Sequence, residues 1–368
     1  MRFIVSYHNV SSKGGGTKLA YLIAEILSKK YEVIFLAGNT WKKEYISKFY
    51  EIDIKDIKFI NYKIKQYPCF NIVNRFQMKK AYKKINGKID GFFEVGSIIH
   101  NTLLPIKDKI PVFLYYHPRA PGLVLKVKGR IIPTLYGNIY TILAKRVINK
   151  IDLISTNSKF TQKIFEAVWK IKPNILYPMV SDNFFDIKNE GKEGIVSLLR
   201  IIPSKFVERL IEVQKKINTN LTIIGSVNKE NLYYLNKLKK LAKGRKIKFV
   251  INATHEEIKK EFKKAKIFLY PVEYECFGMA LAEAQASGLP TITFGKGGPE
   301  EIVINGKTGF VIKDVNEMIS KTKYLLNNKK IRLQMSKKAK MMAKKRFGRK
   351  AFEKQIFNIA KKLGEIKK

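Results

Sequence analysis

The chain has 368 residues, 45% of them apolar and 28% charged, which is enough sequence for two domains with large cores and excludes a disordered or fibrous protein. No stretch approaches the ~18 uninterrupted apolar residues of a membrane span, and the first residues follow a strand pattern rather than a secretory signal. The two cysteines, Cys69 and Cys276, are too far apart in sequence for a disulfide framework or a metal-ligand cluster. These features predict a folded cytoplasmic protein.

The charge is strongly basic, because 72 lysines and arginines outnumber 30 aspartates and glutamates and leave a net charge of +42. A field of this size favours anionic partners such as nucleic acid, anionic lipid or a phosphorylated substrate, but it does not choose among them. A composition bias towards lysine explains the excess equally well.

The first half of the chain alternates strand and helix patterns. Residues 3–6 form a short apolar run, residues 11–16 a glycine-rich loop, and apolar residues then recur at helical spacing up to Leu27. Residues 33–37 are a second buried-strand run, so this βαβ unit predicts a parallel sheet. The pattern continues with strands predicted at 91–95, 112–116 and 153–155 and helices at 130–150 and 158–169.

A turn-rich stretch at residues 173–194 predicts a domain boundary, after which the alternation restarts. Strands are predicted at 195–199, 221–225, 248–252, 267–270, 291–294 and 309–312, and helices at 205–217, 229–242 and 278–287. Thr254 and Glu257 form a capping-box pattern, which predicts the start of a further helix that runs through residue 264. The sequence thus predicts an α/β fold with two doubly wound Rossmann-like domains, residues 1–185 and 186–345, facing across a ligand-binding cleft. The last segment, residues 346–368, is predicted to be a helix that returns to the N-terminal domain.

Three glycines, Gly14, Gly15 and Gly16, lie between the first strand and the first helix. Glycine there lets a ligand approach bare backbone, and the helix amino terminus offers unpaired amides to an anion. The spacing fits neither the dinucleotide-binding fingerprint nor the P-loop, and a flexible turn explains the glycines by themselves more simply.

Two glutamates eight residues apart, Glu275 and Glu283, bracket the predicted start of a helix. Glu275 lies in the loop before the helix and Glu283 about one and a half turns inside it. The amides of Phe277, Gly278 and Met279 fall between the two carboxylates and suit a phosphate or hydroxyl, while the carboxylates suit sugar hydroxyls. The alternative is that Glu283 only pairs with a lysine, which the apolar residues around it disfavour.

The segment around these glutamates resembles the signature of the family-4 retaining glycosyltransferases of the GT-B fold. Glu275 and Glu283 stand in ECFGMALAEAQASGLP, which is followed by GGPEEIV at 297–303 and NGKTGF at 305–310. Upstream, Arg200 and Lys205 match the G-R-x-x-x-x-K phosphate clamp of that family, except that Leu199 replaces the usual glycine. In the first half, residues 116–118 (YHP) and 157–161 (NSKFT) are similar to the subgroup that mannosylates lipid-linked oligosaccharides.

The resemblance implies a role for each matching residue. Arg200 and Lys205 would bind the donor diphosphate, and the Leu199 departure affects the path of that loop. Glu275 would hold hydroxyls of the transferred sugar, Glu283 the ribose, and His117 would lie at the reaction centre, although a lone histidine after a strand is equally explained by a structural role. Gly15 and Gly16 would approach the diphosphate or the acceptor.

The implied reaction needs no cofactor or metal. No D-x-D triplet occurs, and Glu273-Tyr274-Glu275 is the nearest approach to one. Basic side chains and helix amides would neutralise the leaving diphosphate instead. For retention of the configuration at the sugar, attack by the acceptor on the face from which the diphosphate leaves is preferred to a covalent glycosyl-enzyme. The predicted function is transfer of mannose or glucose from a nucleotide-diphosphate sugar to a glycolipid, a polyprenyl-linked saccharide or another glycoconjugate.

Residues 119–150 mix basic and apolar side chains, a pattern that suits peripheral docking on an anionic membrane at its cytoplasmic face. An ordinary amphipathic helix packed on the sheet explains the pattern equally well. Two other functions stay open, a soluble glycogen- or sucrose-type synthase and a basic nucleic-acid-binding protein. Because no recognised nucleic-acid motif is present, we do not expect a nucleic-acid partner.

Overall fold

The computed structural model describes residues 1–10, 15–40, 42–63, 72–96, 110–116 and 147–366. These residues divide into two compact units. The first unit comprises Met1–Tyr177 and Phe352–Lys368, and the second comprises Pro178–Ala351.

The first unit is an α/β domain built on a parallel sheet. Its strands are β1 (Arg2–Asn9), β2 (Glu32–Gly38), β3 (Lys58–Tyr62), β4 (Gly91–Gly96), β5 (Val112–Tyr116), β6 (Leu153–Thr156) and β7 (Asn174–Ile175). Its helices include α1 (Gly15–Ser28), α2 (Lys43–Tyr50), α3 (Ile72–Tyr82) and α4 (Lys159–Trp169). Among the described residues the sheet has the order β3-β2-β1-β4-β5-β6-β7, and every strand pair is parallel.

The central strands of this sheet are buried on both faces. Parallel strands need crossover connections, which cover the faces with helices, so such strands are continuous apolar runs. In β2 all residues after Glu32 are buried, and all of β4 and β5 are buried. The cluster on one face includes Ile4, Ile34, Phe92, Leu114 and Phe165.

The start of α4 shows how a local motif orders the chain. The Ser158 hydroxyl accepts a hydrogen bond from the Thr161 N–H at 3.0 Å and caps the helix, and both side chains are fully buried. A serine at this position satisfies an amide that the helix itself leaves without an acceptor. These two residues of the NSKFT motif therefore have a structural role.

The second unit repeats the architecture with a smaller sheet. Its strands are β8 (Glu193–Arg200), β9 (Leu221–Ser226), β10 (Ile247–Ile251), β11 (Ala265–Tyr270), β12 (Thr291–Phe294) and β13 (Gly309–Ile312). Its helices are α5 (Asp182–Phe185), α6 (Glu208–Ile217), α7 (Leu232–Leu241), α8 (His255–Lys264), α9 (Met279–Ala286), α10 (Pro299–Ile302), α11 (Val315–Asn327) and α12 (Lys329–Phe347). The strand order is β10-β9-β8-β11-β12-β13, again with parallel pairs.

The order of this sheet reverses direction between β8 and β11. The connections that follow these two neighbouring strands lead away from each other, so a crevice forms at their carboxyl ends. β8 ends at Arg200 and β11 ends at Tyr270. The crevice of the second unit is therefore bordered by the segments that follow these two residues.

The helix predicted over residues 205–217 is wrong at its start. Residues Pro203–Lys205 form a 3₁₀ turn that ends at Phe206, whose φ of 52° is left-handed, and α6 begins only at Glu208. A left-handed residue cannot continue a right-handed helix. Lys205 is consequently on a short turn after the strand, one residue before the break. The capping box predicted from Thr254 and Glu257 is confirmed at the start of α8.

The last helix, α13 (Arg349–Glu365), belongs to the first unit from Phe352 onward. Its apolar stripe at Phe352, Ile356, Ala360 and Leu363 is fully buried. On α13, Glu353 forms an ion pair at 2.5 Å with Lys29, the residue that follows α1. The first unit is thus completed by residues from both halves of the chain.

Candidate functional site

The charged side chains of the second unit converge at the carboxyl ends of β8 and β11. Arg200 is the last residue of β8, and Lys205 follows on the 3₁₀ turn. Tyr270 is the last residue of β11, and Glu275 lies five residues further along the connection to α9. The strand order therefore brings together residues that are about 70 positions apart in sequence.

Glu275 is the centre of this cluster. The Lys205 ammonium contacts Glu275 Oε2, and the Tyr270 hydroxyl donates a hydrogen bond to the same oxygen at 2.8 Å. The Cys276 N–H donates to Glu275 Oε1 at 3.3 Å. The side chains of Lys205 and Glu275 are 12% and 24% exposed, so the ion pair is largely shielded but still reachable by a ligand.

Tyr270 is a neutral donor in this cluster. Burial, followed by the negative charge of Glu275, raises the pKa of Tyr270 well above its ordinary value, while the positive charge of Arg200 acts in the opposite direction. Both causes of the rise penalise the phenolate. At physiological pH the hydroxyl therefore keeps its proton for Glu275.

Two glycines allow the Glu275 loop to pack closely against the segment after β12. The Gly298 N–H donates to the Glu275 carbonyl at 2.9 Å. A Cβ at Gly297, where φ is 109°, would lie 2.4 Å from the Glu275 carbonyl oxygen, and one at Gly298 would lie 2.4 Å from the Phe277 Cα. Only glycine fits such an approach, so the GGP segment sets the position of the backbone that carries Glu275.

The amino terminus of α9 faces the same loop. Gly278, with φ of 102°, precedes the helix, and the Met279 N–H is among the first amides of a helix, which have no intrahelical acceptor. These amides give the helix end a partial positive charge that attracts anions. Glu283, in the second turn, is half-buried, whereas its neighbours Ala282 and Ala284 are fully buried.

A second group of charges lies beside the first. Arg209 of α6 donates to Glu273 Oε1 at 2.6 Å and to the Pro271 carbonyl at 3.2 Å, and Lys296 approaches the other oxygen of Glu273 at 3.4 Å. The hydrogen bond from Arg209 is the main reason that the pKa of Glu273 lies below its ordinary value. Glu273 is therefore a structural carboxylate of the loop.

The predicted site residues fall into three groups. The structure brings Arg200, Lys205 and Glu275 together, and α9 and the loop before it carry the remaining predicted residues of the second unit, which are Phe277, Gly278, Met279 and Glu283. Gly15 and Gly16 begin α1 in the first unit, where Gly15 is exposed and a Cβ on it would meet no atom within 4 Å. His117 lies outside the described residues.

The Phe277 ring does not face a ligand. It is 3% exposed and packs edge-on against Phe347 of α12, with ring centroids 5.5 Å apart. Phe277 can therefore serve the site only through its backbone. Among the residues that the structure describes, no three His, Cys, Asp or Glu side chains are grouped as a metal site.

Sequence reasoning missed Tyr270 and Arg209. Tyr270 ends an apolar strand and looks like a core residue, and Arg209 has the ordinary spacing of a surface residue on a basic helix. The one sequence signal that could have identified Tyr270 is its position at the end of a buried strand. A polar group there is typical of a ligand site when the strand adjoins the point where the strand order of the sheet reverses.

Comparison with known proteins agrees with this architecture. The family model described as glycosyl transferases group 1 matches residues 181–342. The crystal structure of Anabaena Alr3699/HepE in complex with UDP and glucose matches with a TM-score of 0.75 at 14% identity, over 98% of this chain and 100% of that chain. WaaG, a glycosyltransferase involved in lipopolysaccharide biosynthesis, matches with a TM-score of 0.72 at 14% identity, over 100% of both chains.

Sequence relatives fall into two kinds. The chain is 24% identical over 313 residues to the alpha-1,3/1,6-mannosyltransferase ALG2 of Dictyostelium discoideum, and this match covers 70% of this chain and 74% of that protein. It is 31% identical over 175 residues to the trehalose synthase of Thermococcus litoralis, which covers 44% of this chain and 42% of that protein. The chain thus spans less than half the length of this second relative.

Two α/β units with parallel sheets, matching these solved structures, define the GT-B glycosyltransferase fold, as predicted. Within that class, the chain contains a glycosyl transferases group 1 domain at residues 181–342, and this domain holds the Lys205–Glu275 cluster.

Proposed function

We propose that this protein is a retaining hexosyltransferase that moves mannose or glucose from a nucleotide-diphosphate sugar to a lipid-linked saccharide or another glycoconjugate. The observation that carries the proposal is the arrangement of Lys205, Tyr270 and Glu275, with Arg200 nearby, at the order reversal of a group 1 glycosyltransferase domain. A nucleotide donor is also supported by the structural neighbour with bound UDP and glucose.

The ion pair suggests how a donor engages the site. A diphosphate offers Lys205 a more highly charged partner than Glu275 does, and Arg200 adds a planar guanidinium that suits phosphate oxygens. When Lys205 turns to the phosphate, Glu275 still accepts the hydrogen bond of Tyr270 and has lone pairs left for hydroxyls of the transferred sugar. Glu283 then serves the ribose.

The chemistry requires that negative charge on the departing diphosphate be stabilised. Arg200, Lys205 and the amides of Gly278 and Met279 at the start of α9 are the groups that we assign to this task. We propose that they do so without a metal ion, and that the acceptor attacks the face from which the diphosphate leaves, which retains the configuration.

The first unit is assigned to the acceptor. The exposed start of α1 at Gly15 and Gly16 offers bare backbone to the diphosphate or the acceptor, and we keep His117 as the residue proposed for the reaction centre. Transfer of a hexose is supported by the match to the mannosyltransferase ALG2, which covers 70% of the chain and so extends beyond the second unit. The lipid-linked acceptor is proposed from the resemblance of residues 116–118 and 157–161 to the subgroup that acts on such acceptors.

A soluble synthase is the second candidate, because the trehalose synthase and a probable sucrose-phosphate synthase match at 31% identity. These matches cover 44% and 45% of the chain, less than the 70% covered by the match to ALG2. Purified protein offered a polyprenyl-diphosphate-linked saccharide in parallel with free hexoses and hexose phosphates distinguishes the two. Transfer only to the free sugars would refute the lipid-linked assignment.

The decisive experiment for the donor is a panel of nucleotide sugars screened by thermal shift and by hydrolysis. A true donor raises the melting temperature of the wild type by mass action and is turned over. Glu275→Ala should lose turnover, whereas Glu230→Ala, a matched change of an exposed glutamate on the turn Lys229–Asn231, should keep it. If no nucleotide sugar binds or is hydrolysed, the proposed function is wrong.

We further propose that the protein works at the cytoplasmic face of an anionic membrane. Most of the segment predicted to dock there, residues 119–150, lies outside the described residues, and no described helix is both long and apolar enough to cross a bilayer. Support comes from the net charge of +42 and from α12, which has nine basic and no acidic residues.

One face of α12 combines charge with exposed apolar side chains, and we call it the basic stripe. It consists of Lys330, Leu333, Lys337, Lys338, Met341, Lys344 and Lys345. Leu333 and Met341 are 51% and 62% exposed, and all five lysines are exposed as well. Such a face suits an anionic lipid surface, with about 1 kcal/mol from each lysine near it.

Liposome co-sedimentation tests this assignment. Binding should rise with anionic lipid content and fall as salt is added. The double variant Lys337→Glu/Lys338→Glu should bind more weakly than Lys239→Glu/Lys240→Glu, the control that makes an equal charge change on the exposed side of α7. Binding that ignores lipid charge, or that responds equally to both pairs, would refute the basic stripe as the docking face.

A further inference from the structure

Arg209 touches each of the segments that surround the candidate site in the second unit. It lies in the first turn of α6, and its guanidinium donates to the Pro271 carbonyl and to Glu273, both on the connection that follows β11. The Arg209 side chain is 23% exposed and that of Glu273 is 25% exposed, so the pair is shielded but not sealed from solvent.

The guanidinium of Arg209 also lies over two aromatic rings. Its central carbon lies 4.2 Å from the ring centroid of Phe206 and 4.8 Å from that of Phe294. Phe206 is the residue after Lys205, and Phe294 is the last residue of β12. A planar cation can stack on ring faces while donating hydrogen bonds in its own plane, which an ammonium group cannot do.

These contacts join the backbone segments that carry Lys205 and Glu275. Phe206 is one residue from Lys205, and Glu273 is two residues from Glu275. Lys205 is on a 3₁₀ turn, and the Glu275 backbone is bonded to Gly298 rather than to that turn, so side-chain contacts such as these connect the two segments. The third segment, after β12, is attached through Phe294 and through Lys296, which approaches Glu273 at 3.4 Å.

We propose that Arg209 is a positioning residue that holds the Glu275 loop in register with the Lys205 turn. The inference rests on the function proposed above for Glu275 and Lys205, but Arg209 itself touches neither of them in the contacts described. The role needs the fork of arginine, because its two terminal nitrogens bond two different acceptors while its central carbon lies over two rings. A positive charge alone is insufficient.

Arg209→Lys tests this requirement, with Arg245→Lys as the matched control at an exposed position. In donor hydrolysis we expect Arg209→Lys to lower kcat by 10- to 100-fold with little change in KM, the size expected when reacting groups are misplaced by about 1 Å. Arg245→Lys should match the wild type. Glu273→Gln should lower kcat as well, and the double variant should be little worse than either single one, because the two residues act as a unit.

The rate at which iodoacetamide alkylates Cys276 is a readout that does not need turnover. This half-buried thiol follows Glu275 directly, and peptide mass spectrometry separates it from Cys69. Well below the melting temperature, Arg209→Lys and Glu273→Gln should each speed alkylation several-fold, and Arg245→Lys should not. If Arg209→Lys fails to fold, Glu273→Gln carries the same test.

The outcomes separate this proposal from the proposed function. If the wild type hydrolyses no nucleotide sugar, the function is wrong, and the alkylation rates still decide whether Arg209 holds the loop. If the wild type is active and Arg209→Lys keeps its kcat, or if alkylation of Cys276 is unchanged, the positioning role is refuted. A loss of kcat that Arg245→Lys shares equally would also refute it.

Discussion

The two units repeat one topology but differ in what they place at the order reversal of the sheet. In the second unit, charged side chains collect after β8 and β11, where Lys205, Tyr270 and Glu275 interact directly. In the first unit the corresponding strands are β1 and β4; β1 leads to α1, which begins with the exposed Gly15, whereas the residues that follow β4 lie outside the described part of the chain. The fold supplies a crevice in both cases, and the residues decide its chemistry.

This difference assigns separate tasks to the units. A cluster of cations, carboxylates and helix amides suits a charged donor whose leaving group must be stabilised. A bare helix start leaves room for a ligand of variable shape. We therefore expect ligand binding in the second unit to depend on charge and fixed geometry, and ligand binding in the first unit to depend on open space beside the helix start.

The largest effect is expected from Arg200→Ala in the second unit. Removing one cation from the proposed diphosphate site should lower donor hydrolysis or transfer by 10²- to 10³-fold, or about 3–4 kcal/mol of barrier. Because Arg200 is exposed, we expect little loss of fold stability. Steady-state kinetics measure the effect, and Arg245→Ala is the control for the loss of one positive charge. Unchanged turnover would contradict the assignment of Arg200 to the diphosphate.

A smaller effect, on stability, is expected from Gly297→Ala. The new Cβ would lie 2.4 Å from the Glu275 carbonyl oxygen at a residue with φ of 109°, so we expect a loss of about 2–3 kcal/mol in the free energy of unfolding. Gly306→Ala is the control, because φ there is 71° but a Cβ would meet no atom within 4 Å. Equal losses from urea denaturation would show that the close approach to the Glu275 loop is unimportant.

Tyr270→Phe should have an effect of about 1 kcal/mol, the net value of one hydrogen bond. Because the pKa of Tyr270 is raised in the folded protein, its folded-state contribution is fully present below about pH 10 and is lost as the pH rises through the folded-state pKa. The alkaline decline in melting temperature should therefore be shallower in Tyr270→Phe than in the wild type. Tyr274→Phe, at an exposed tyrosine, is the control for the loss of one hydroxyl group.

The smallest effect on stability, under about 0.5 kcal/mol, is expected from Gly15→Ala in the first unit, because the new methyl group meets open space. If a ligand approaches this backbone, the same variant should raise KM for donor or acceptor. A normal melting temperature with altered KM would sharpen the contrast between the units. Normal KM values for both substrates would remove Gly15 from the proposed site.

Much of the fold was predictable from local patterns. Continuous apolar runs such as Val112–Tyr116 predict buried parallel strands, and Thr254 with Glu257 predicts the capping box that the structure confirms. The short strands β3 and β7 were not predicted, because β3 is only partly buried and β7 has two residues. The break at Phe206 was also missed, since a left-handed residue other than glycine leaves no compositional signal.

The candidate site was predictable only in part. The spacing of Glu275 and Glu283 places one carboxylate before the helix and one inside it, and the structure agrees, because helix geometry follows from sequence separation alone. The ligand roles of these residues stay predictions. Tyr270 and Arg209 could not be assigned from their neighbours in the chain.

By itself, the sequence determined the class of fold, the glycine-rich segments and the charged residues available for chemistry, because these follow from periodicity and residue type. Only the tertiary structure decided that Tyr270 and Lys205 share one oxygen of Glu275 and that the Arg209 guanidinium lies over the rings of Phe206 and Phe294. Contacts between residues some 60 to 90 positions apart in the chain depend on which strands are neighbours and on where each connection leaves the sheet.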